Sequence, residues 1–598
     1  KNVSDLNEDD VRSYLGDLFD TKSKNTIMLA IASLKFFYTQ ILGKESFNIK
    51  TPKKDKKLPE VLTKEEVRRL IDSADNIKSR LIISLLYSSG LRVSELVNLK
   101  IEDLNLNEKT GWVRKGKGSK DRLFTIAGNL ADELKEYKER KAEDKYVFSK
   151  EKPLTTRNIQ KIIKGLRKRA GINKKVTPHT LRHCLHPNTR IAMPDEICSA
   201  ETLFKFRNTP IQSINLSTLQ IENEEISHKF QHDSNKMLSI WADGYEILCT
   251  PEHRLFTMGE EGLEEIYAKD VKPGTYLAGV KEIRINGEKK FDNDIWRLIG
   301  YILGDGMISE RRRGTIIFDK NPKFLEFYKK IVEDKFNIRP ILNKYKDRDS
   351  YTLSIYNVKL IEFLKKFGLN LRSKERRVPE ILYSATNEEI SGFLAGYYDA
   401  EGNEGGTIRL FSSSKELLKD IQMLFLRLGI DTHINKRIRD VKLPQGKILE
   451  KNEIYTLHVL HRPDQIKFAQ HIKTLKTIKI VNNFAGEKIP VRHILNKINN
   501  SLLNKYKGII YKIQKEEGIK HFARYINKIN PNKETLAKIT KHLSQIHEFE
   551  KISQVFKNLY ENNTIKWLRV KKIEEKNYYS QVYDFTVPKN QNLITDGF

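Results

Sequence analysis

Apolar residues in the first fifty positions recur every three or four residues, as in DDVRSYLGDLF and NTIMLAIASLKFFYTQIL, and that period predicts amphipathic helices. The basic, proline-punctuated stretch KTPKKDKKLPEVLTKEEV breaks it; Thr63, with Glu66 three residues on, predicts a helix start just beyond. Between 64 and 183, helices alternate with one strand pair, GWVRKGKGSKDRLFTI, whose turn is rich in Gly and Lys. From 184 to 290 the pattern changes to short β-like runs such as YEILCT, HRLFTM and TYLAGV. Residues 291–480 contain an internal repeat. LIGYILGDG (298–306) returns as LAGYYDAEG (394–402), Thr315-Ile316-Ile317-Phe318 as Thr407-Ile408-Arg409-Leu410, and Tyr351-Thr352-Leu353 as Tyr455-Thr456-Leu457. Residues 485–560 are Lys-rich and helical, and the last forty are β-like again, so a β module is split around an insertion. The fold class predicted is multidomain α+β.

Composition sharpens this picture in three ways. At ~150 residues per domain, 598 residues imply about four domains. Lys+Arg exceed Asp+Glu by 108 − 78 = +30, which favours a polyanionic partner, most simply nucleic acid, over a merely solvated surface. Three cysteines, Cys184, Cys198 and Cys249, exclude a disulfide framework and point to a reducing compartment. No apolar run approaches the ~18 residues of a membrane span and no secretory signal opens the chain, so the expectation is a cytoplasmic, nucleoid-associated protein without a membrane partner.

The first group of chemically suggestive residues is cationic. SSGLRVSEL puts Arg92 at a helix start, RKGKGSKDR puts Lys117 in a β-turn, and HTLRH spaces His179 and Arg182 three apart on one helix face. Two arginines and a histidine converging on a phosphate can stabilise a pentacovalent transition state, and a lysine in a turn can protonate a leaving oxygen. In this order they resemble the tyrosine recombinase/integrase family, particularly its Xer-like members. The resemblance implies a helical core-binding domain (1–55) and part of a mixed α/β catalytic domain (56–183). It also implies Arg92 and Arg182 on the scissile phosphate, His179 and Lys117 in proton transfer, Glu95 bracing the Arg92 helix, and self-association on DNA. The family's later His or Trp and its nucleophilic Tyr do not come after His183.

The chain continues instead with CLHPNTRI, which resembles the first block of an intein, with Cys184 as the residue whose thiol attacks the preceding carbonyl. CTPEHRLFT supplies Thr250 and His253 in a T-x-x-H arrangement. By that resemblance His253 donates to the scissile amide nitrogen and Thr250 holds the carbonyl oxygen. VYDFTVPKNQNLITDGF resembles the penultimate intein block, with Asp584 assisting thioester formation and Gln591 where the family usually has His. A terminal His-Asn and a downstream Ser, Thr or Cys are expected beyond Phe598. Cys198 and Cys249 read as ordinary apolar residues.

The third group lies in the repeat. Leu298, Ile302 and Asp305 share a helical stripe beside a bare face at Gly300 and Gly304; Leu394, Tyr398 and Glu401 repeat it beside Gly396 and Ala400. Such faces let two helices touch backbone to backbone, bringing Asp305 and Glu401 together as ligands for a divalent cation, most simply Mg²⁺. Two copies resemble the LAGLIDADG homing endonuclease family. That implies an αββαββα repeat, sheets straddling DNA with Arg311, Arg312, Arg409 and Lys436 as contacts, and a catalytic basic residue in SKERRVPEIL, Arg376 or else Lys374. The combined expectation is a recombinase precursor interrupted by a Hedgehog/intein β fold (184–290 and 561–598), itself split by the endonuclease (291–480) and a helical accessory segment (481–560). The alternative is a DNA-binding fusion whose splicing and nuclease activities have decayed.

Overall fold

The computed structural model describes residues 8–21, 30–31, 33–37, 39, 64–88, 91, 93–114, 122–126, 128–139, 144–173, 185–207, 209–226, 228–260, 262–311, 313–344, 350–442, 448–481, 487–519, 522–587, 589–590 and 592–598. The fold is mixed α/β. Among the described residues no helix is long and apolar enough to cross a membrane.

The N-terminal part begins with α1 (Glu8–Thr21) and continues as α2 (Lys64–Asp72), α3 (Ile77–Ser88), α4 (Val93–Val97), a sheet of β1 (Leu104–Asn105), β2 (Thr110–Val113) and β3 (Arg122–Thr125), then α5 (Gly128–Glu139) and α6 (Thr156–Arg169). Local chemistry sets these ends. Asn76 Oδ1 accepts from Ser79 N at 2.8 Å and starts α3, and Thr155 accepts from Asn158 N to start α6. Ile159, Ile163 and Leu166, spaced four and three apart, put one face of α6 into the core shared with Leu81, Leu85 and Leu86 of α3.

Next come β4 (Arg190–Ala192), β5 (Ile197–Ser199), α7 (Ala200–Phe206), β6 (Ile211–Asn215), β7 (Gln220–Glu224), β8 (His228–Ala242), β9 (Tyr245–Cys249), β10 (Arg254–Met258), β11 (Leu263–Tyr267) and β12 (Tyr276–Val280). The last strand of the chain, β20 (Ile565–Thr586), closes a six-stranded sheet in the order β11-β10-β12-β20-β8-β9. At 22 residues β20 serves two partners: Ile565–Arg569 pair with β12, and Val570–Thr586 pair with β8. Its register shifts near Val570 and again near Asn577, where bulges bend so long a strand.

Between β12 and β20 lies a repeated unit. Its first half is α8 (Asn293–Asp305), β13 (Gly306–Ser309), β14 (Gly314–Asp319), α9 (Pro322–Phe336), β15 (Ile341–Lys344), β16 (Tyr351–Ile355) and α10 (Val358–Lys365). Its second is α11 (Asn387–Glu401), β17 (Arg409–Ser412), α12 (Lys415–Arg427), β18 (His433–Lys442), β19 (Ile448–His458) and α13 (Arg462–His471). The first half has the αββαββα order. The second does not fully: the partner of β17 shrinks to a single bridge between Gly402 and Leu410, leaving three strands where the first half has four. The strand alignment read from sequence needs correction by one residue. Gly306 pairs with Ile317 and Gly402 with Leu410; Phe318 pairs with Thr352 and Phe411 with Thr456. Ile317 therefore corresponds to Leu410, not Arg409. The matching Thr-Ile pairs favour the wrong register, and because side chains alternate faces a one-residue slip exchanges inside for outside.

Helices α8 and α11 cross at the bare faces. A Cβ on Gly300 would lie 2.1 Å from the Phe393 carbonyl oxygen, one on Gly396 1.9 Å from that of Arg297, and one on Gly304 2.5 Å from Ala400 Cβ. Around this contact Trp296, Ile302, Phe393 and Tyr398 are fully buried, each worth about 1.5–3 kcal/mol of removal from water. Glu389, fully buried, closes the capping box of α11 with Thr386 and also accepts from the Lys290 and Phe291 amides and Trp296 Nε1, so its charge is spent on neighbours. Helices α14 (Arg492–Asn504), α15 (Lys507–Glu516), α16 (Phe522–Asn527), α17 (Lys533–Leu543) and α18 (Glu550–Glu561) then pack around Leu502, Leu536, Ile539 and Phe556 and lead into β20.

Candidate functional site

Two sites assemble from residues far apart in sequence. The first lies where the β-rich part begins. Leu185 is held on both sides: it exchanges backbone hydrogen bonds with Tyr583 of β20 (2.7 and 2.9 Å) and bridges Cys249 of β9, while His186 N donates to Leu248 O at 3.3 Å. Thr250, the residue after Cys249, is buried. A tight turn comes next, His253 N donating to Thr250 O at 3.0 Å. Burial, reinforced by the Arg254 charge, pushes His253 down to about 4, so its imidazole is neutral near pH 7. Its Nδ1 meets no hydrogen-bond partner among the described residues.

Asp584 succeeds Tyr583 on β20 and, with His253, lines a cavity of about 110 Å³ that also meets Thr595, Phe598 and Tyr87. The cavity reaches the N-terminal part of the chain through Tyr87 of α3, whose hydroxyl is pushed up to about 12 by burial and the Asp584 charge. The chain end is fixed there too. Thr595 and Phe598 exchange backbone hydrogen bonds in a turn, Asp596 Oδ1 accepts from Arg190 N at 3.0 Å, and Gly597 takes φ +90 against the Tyr245 ring. Cys198 and Cys249 are both buried; burial pushes the Cys198 thiol up to about 12 and raises Cys249 further.

The second site is the C-terminal end of the α8–α11 pair. A Cβ on Gly304 would also lie 3.1 Å from Glu401 Cγ, so the acids at the two helix ends are neighbours across the seam. Burial raises Asp305 to about 6, and burial with the Asp305 charge raises Glu401 to about 7. Two carboxylates forced together in a half-buried place resist ionising, which makes them a ready ligand pair for a hard cation. Arg376 donates to the Leu303, Gly304 and Gly306 carbonyls, closing the last turn of α8. Lys374 is exposed, and its charge acts on Glu453.

Sequence reasoning missed Lys476, which repeats Arg376's part on the other helix. Its ammonium donates to the Ala400 and Gly402 carbonyls at 3.0 and 2.7 Å, and its charge lowers both acids. The repeat carried a signal, since Arg376 lies 71 residues after Asp305 (376 − 305) and Lys476 lies 75 after Glu401 (476 − 401). Asp399, the other acid of LAGYYDAEG, has a different job. It is buried and held by Arg297, Tyr328, Thr474 and the Leu475 amide at 2.6–2.8 Å.

Arg92, Lys117, His179, Arg182 and Cys184 lie outside the described residues, as do Arg312 and Gln591. Glu95 is buried in α4. Of the sheet cations, Arg311 is exposed, Arg409 lies half-buried on β17, and Lys436 is engaged by Glu453 at 2.6 Å rather than standing free.

Comparison with known proteins adds two successive matches: residues 60–187 to the phage integrase family and residues 191–598 to the intein splicing domain. Tyrosine recombinase XerA of Pyrococcus horikoshii is 40% identical over 171 residues, 28% of this chain and 59% of the relative. XerA of Pyrococcus furiosus is 44% identical over 171 residues, 27% of this chain and 59% of the relative. The chain thus spans less than two thirds of the length of these curated relatives. Among solved structures, a XerA recombinase crystal structure is similar at 34% identity, covering 30% of this chain and 68% of that one, with TM-score 0.20. The crystal structure of I-DmoI in complex with DNA and Mn is similar at 20% identity, covering 30% of this chain and 96% of that one, with TM-score 0.23.

Proposed function

Because this chain belongs to the intein splicing domain family and carries a tyrosine recombinase region ahead of that domain, we propose that it is the precursor of a Xer-like site-specific recombinase. An intein interrupts the recombinase after His183 and itself carries a LAGLIDADG-type homing endonuclease. The observation that carries the splicing half is the clamp on Leu185. Its antiparallel pairings with Cys249 and Tyr583, continued by one residue, lead to Thr250 on one side and Asp584 on the other.

Cys184 is peptide-bonded to Leu185, so the amide between His183 and Cys184 is one residue from this clamp. The Cys184 sulfur adds to the His183 carbonyl carbon, its thiol proton passing to Asp584. The C–N bond then breaks, leaving a thioester on His183 and a free α-amine on Cys184. Neutral His253, whose Nδ1 is otherwise unengaged among the described residues, takes that proton on from Asp584 and as the imidazolium delivers it to the departing nitrogen, so the thiol proton ends on the amine. Thr250 steadies the oxygen that gains charge. The test is a strong thiol and then mass spectrometry. Cleavage between His183 and Cys184, lost in Cys184→Ala, supports the reading, whereas equal cleavage in that variant sinks it.

The nuclease half rests on the paired acids. Asp305 and Glu401 would hold Mg²⁺, which when bound supplies Lewis-acid activation of water at a DNA phosphate. The chain's own part is to keep the carboxylates close through the Gly300 and Gly396 contacts and to fix the helix ends through Arg376 and Lys476. The basic surplus would draw in double-stranded DNA. A duplex spanning the uninterrupted recombinase gene around the HTLRH codons should be cut in Mg²⁺ and left intact by Asp305→Asn. Robust cutting by that variant would exclude the assignment.

A further inference from the structure

The geometry points to a divalent transition-metal site formed by Asp431, His433 and His461, apart from both sites above. Asp431 lies between α12 and β18, His433 is the first residue of β18, and His461 immediately precedes α13. Their ligand atoms all lie within 4.8 Å of one another, and the two imidazole rings stand 5.8 Å apart, edge toward face. Two imidazole nitrogens and one carboxylate oxygen are a donor set for zinc-like ions at bond lengths of about 2.0–2.2 Å, so small side-chain movements suffice to close on an ion. Magnesium, which prefers oxygen, fits it poorly.

The surroundings favour this use. Tyr245 Oη (2.8 Å) and Lys566 Nζ both bond Asp431 Oδ1, which fixes the carboxylate and leaves Oδ2 facing His433 Nε2 at 3.5 Å. Beyond that long contact, the nitrogen is buried and meets no hydrogen-bond partner among the described residues. A ligand already oriented by neighbours of this kind holds metal more tightly. Lys566 adds a nearby positive charge, partly offset by Asp464, which lines the same cavity. The cavity, about 500 Å³, lies between the repeated unit and β20, with Gly429, Lys488 and Arg569 also on its walls. Three protein ligands would leave one position open toward it. The competitor for a soft metal is the thiol at position 184, so the site must be assayed without it.

The experiment uses the full chain carrying Cys184→Ala, with Mg²⁺ in excess to occupy the carboxylate pair. Zn²⁺ binding is measured by calorimetry and Co²⁺ binding by its visible absorption. One equivalent of Zn²⁺ should bind, and Co²⁺ should give the strong bands of a four- or five-coordinate ion. His433→Asn and His461→Asn should each weaken binding by about tenfold or more and lose those bands, while the exposed His493→Asn should not. If His433→Asn fails to fold by circular dichroism, His461→Asn, outside the sheet, decides. Absence of binding, or unchanged stoichiometry and affinity in a folded His461→Asn, overturns the site.

Discussion

The guanidinium of Arg190 meets the carboxylate of Asp420 at 3.2 Å across 230 residues of chain, joining β4 to helix α12. Arg377 grips the same carboxylate at 2.6 and 2.8 Å, and Glu380 takes the other side of Arg190 at 2.9 and 3.0 Å. Burial pushes Asp420 up, yet the two arginines hold it below the usual carboxylate range. Replacing Asp420 by Ala would leave two guanidiniums without their shared partner and should cost about 3–5 kcal/mol. Calorimetry should show the β-rich part and the repeated unit destabilised together; a loss under ~1 kcal/mol would mean the network is not a structural joint.

The acid pair gives a pH prediction of definite sign. Asp305 and Glu401 titrate near 6 and 7 in the folded chain, above their ordinary 3.8 and 4.5. Their contribution to stability is therefore full below about pH 4 and is lost as pH rises through 6 and 7. Without metal, the melting temperature of the repeated unit should fall between about pH 4 and pH 7 and level off above. Mg²⁺ should restore on the order of 2 kcal/mol at the higher pH and little at the lower. In Asp305→Asn both the fall and the rescue should shrink; a pH-independent rescue of equal size would refute the pairing.

Gly300→Ala and Gly396→Ala test the seam itself. Each methyl would strike a carbonyl oxygen of the facing helix at 2.1 or 1.9 Å, contacts that require the backbones to part. A destabilisation of about 1–3 kcal/mol is expected, with DNA cleavage falling further than DNA binding because the acids separate. Gly16→Ala, with nothing within 4 Å of the added atom, is the control.

Lys476→Met should shift the pH profile of the proposed nuclease. The Lys476 charge lowers both acids, so its removal lets them rise and moves half-maximal cleavage to higher pH. It should also cost about 1 kcal/mol at the end of α11. Lys374→Met, an exposed position, should leave the profile where it was.

Range decides how much of this fold and its sites is legible in the sequence. The small-residue faces of α8 and α11 are legible because close backbone contact demands a missing side chain at fixed helical spacing. Thr250 and His253 are legible because their turn is local. The Arg190–Asp420 joint is not, since a long-range ion pair leaves no period. Lys476 escapes notice because the arms of the repeat have drifted to 71 (376 − 305) and 75 (476 − 401) residues. The strand match slips by one because Thr-Ile pairs occur in both registers and only the partner strand tells them apart. Asp431, His433 and His461 sit in a turn, a strand start and a helix start, with no spacing that marks them as a set.

Leu185 can be gripped only once Tyr583 exists, and Tyr583 is made 583 − 185 = 398 residues later. At about 5–20 residues per second of synthesis, roughly 20–80 s pass before β20 can reach it. Until then Leu185 has a strand on one side at most. Under the proposed splicing reading the clamp acts as a clock: the Leu185 pairing that would precede any cleavage at the His183–Cys184 bond waits until nearly all of the β module has been made.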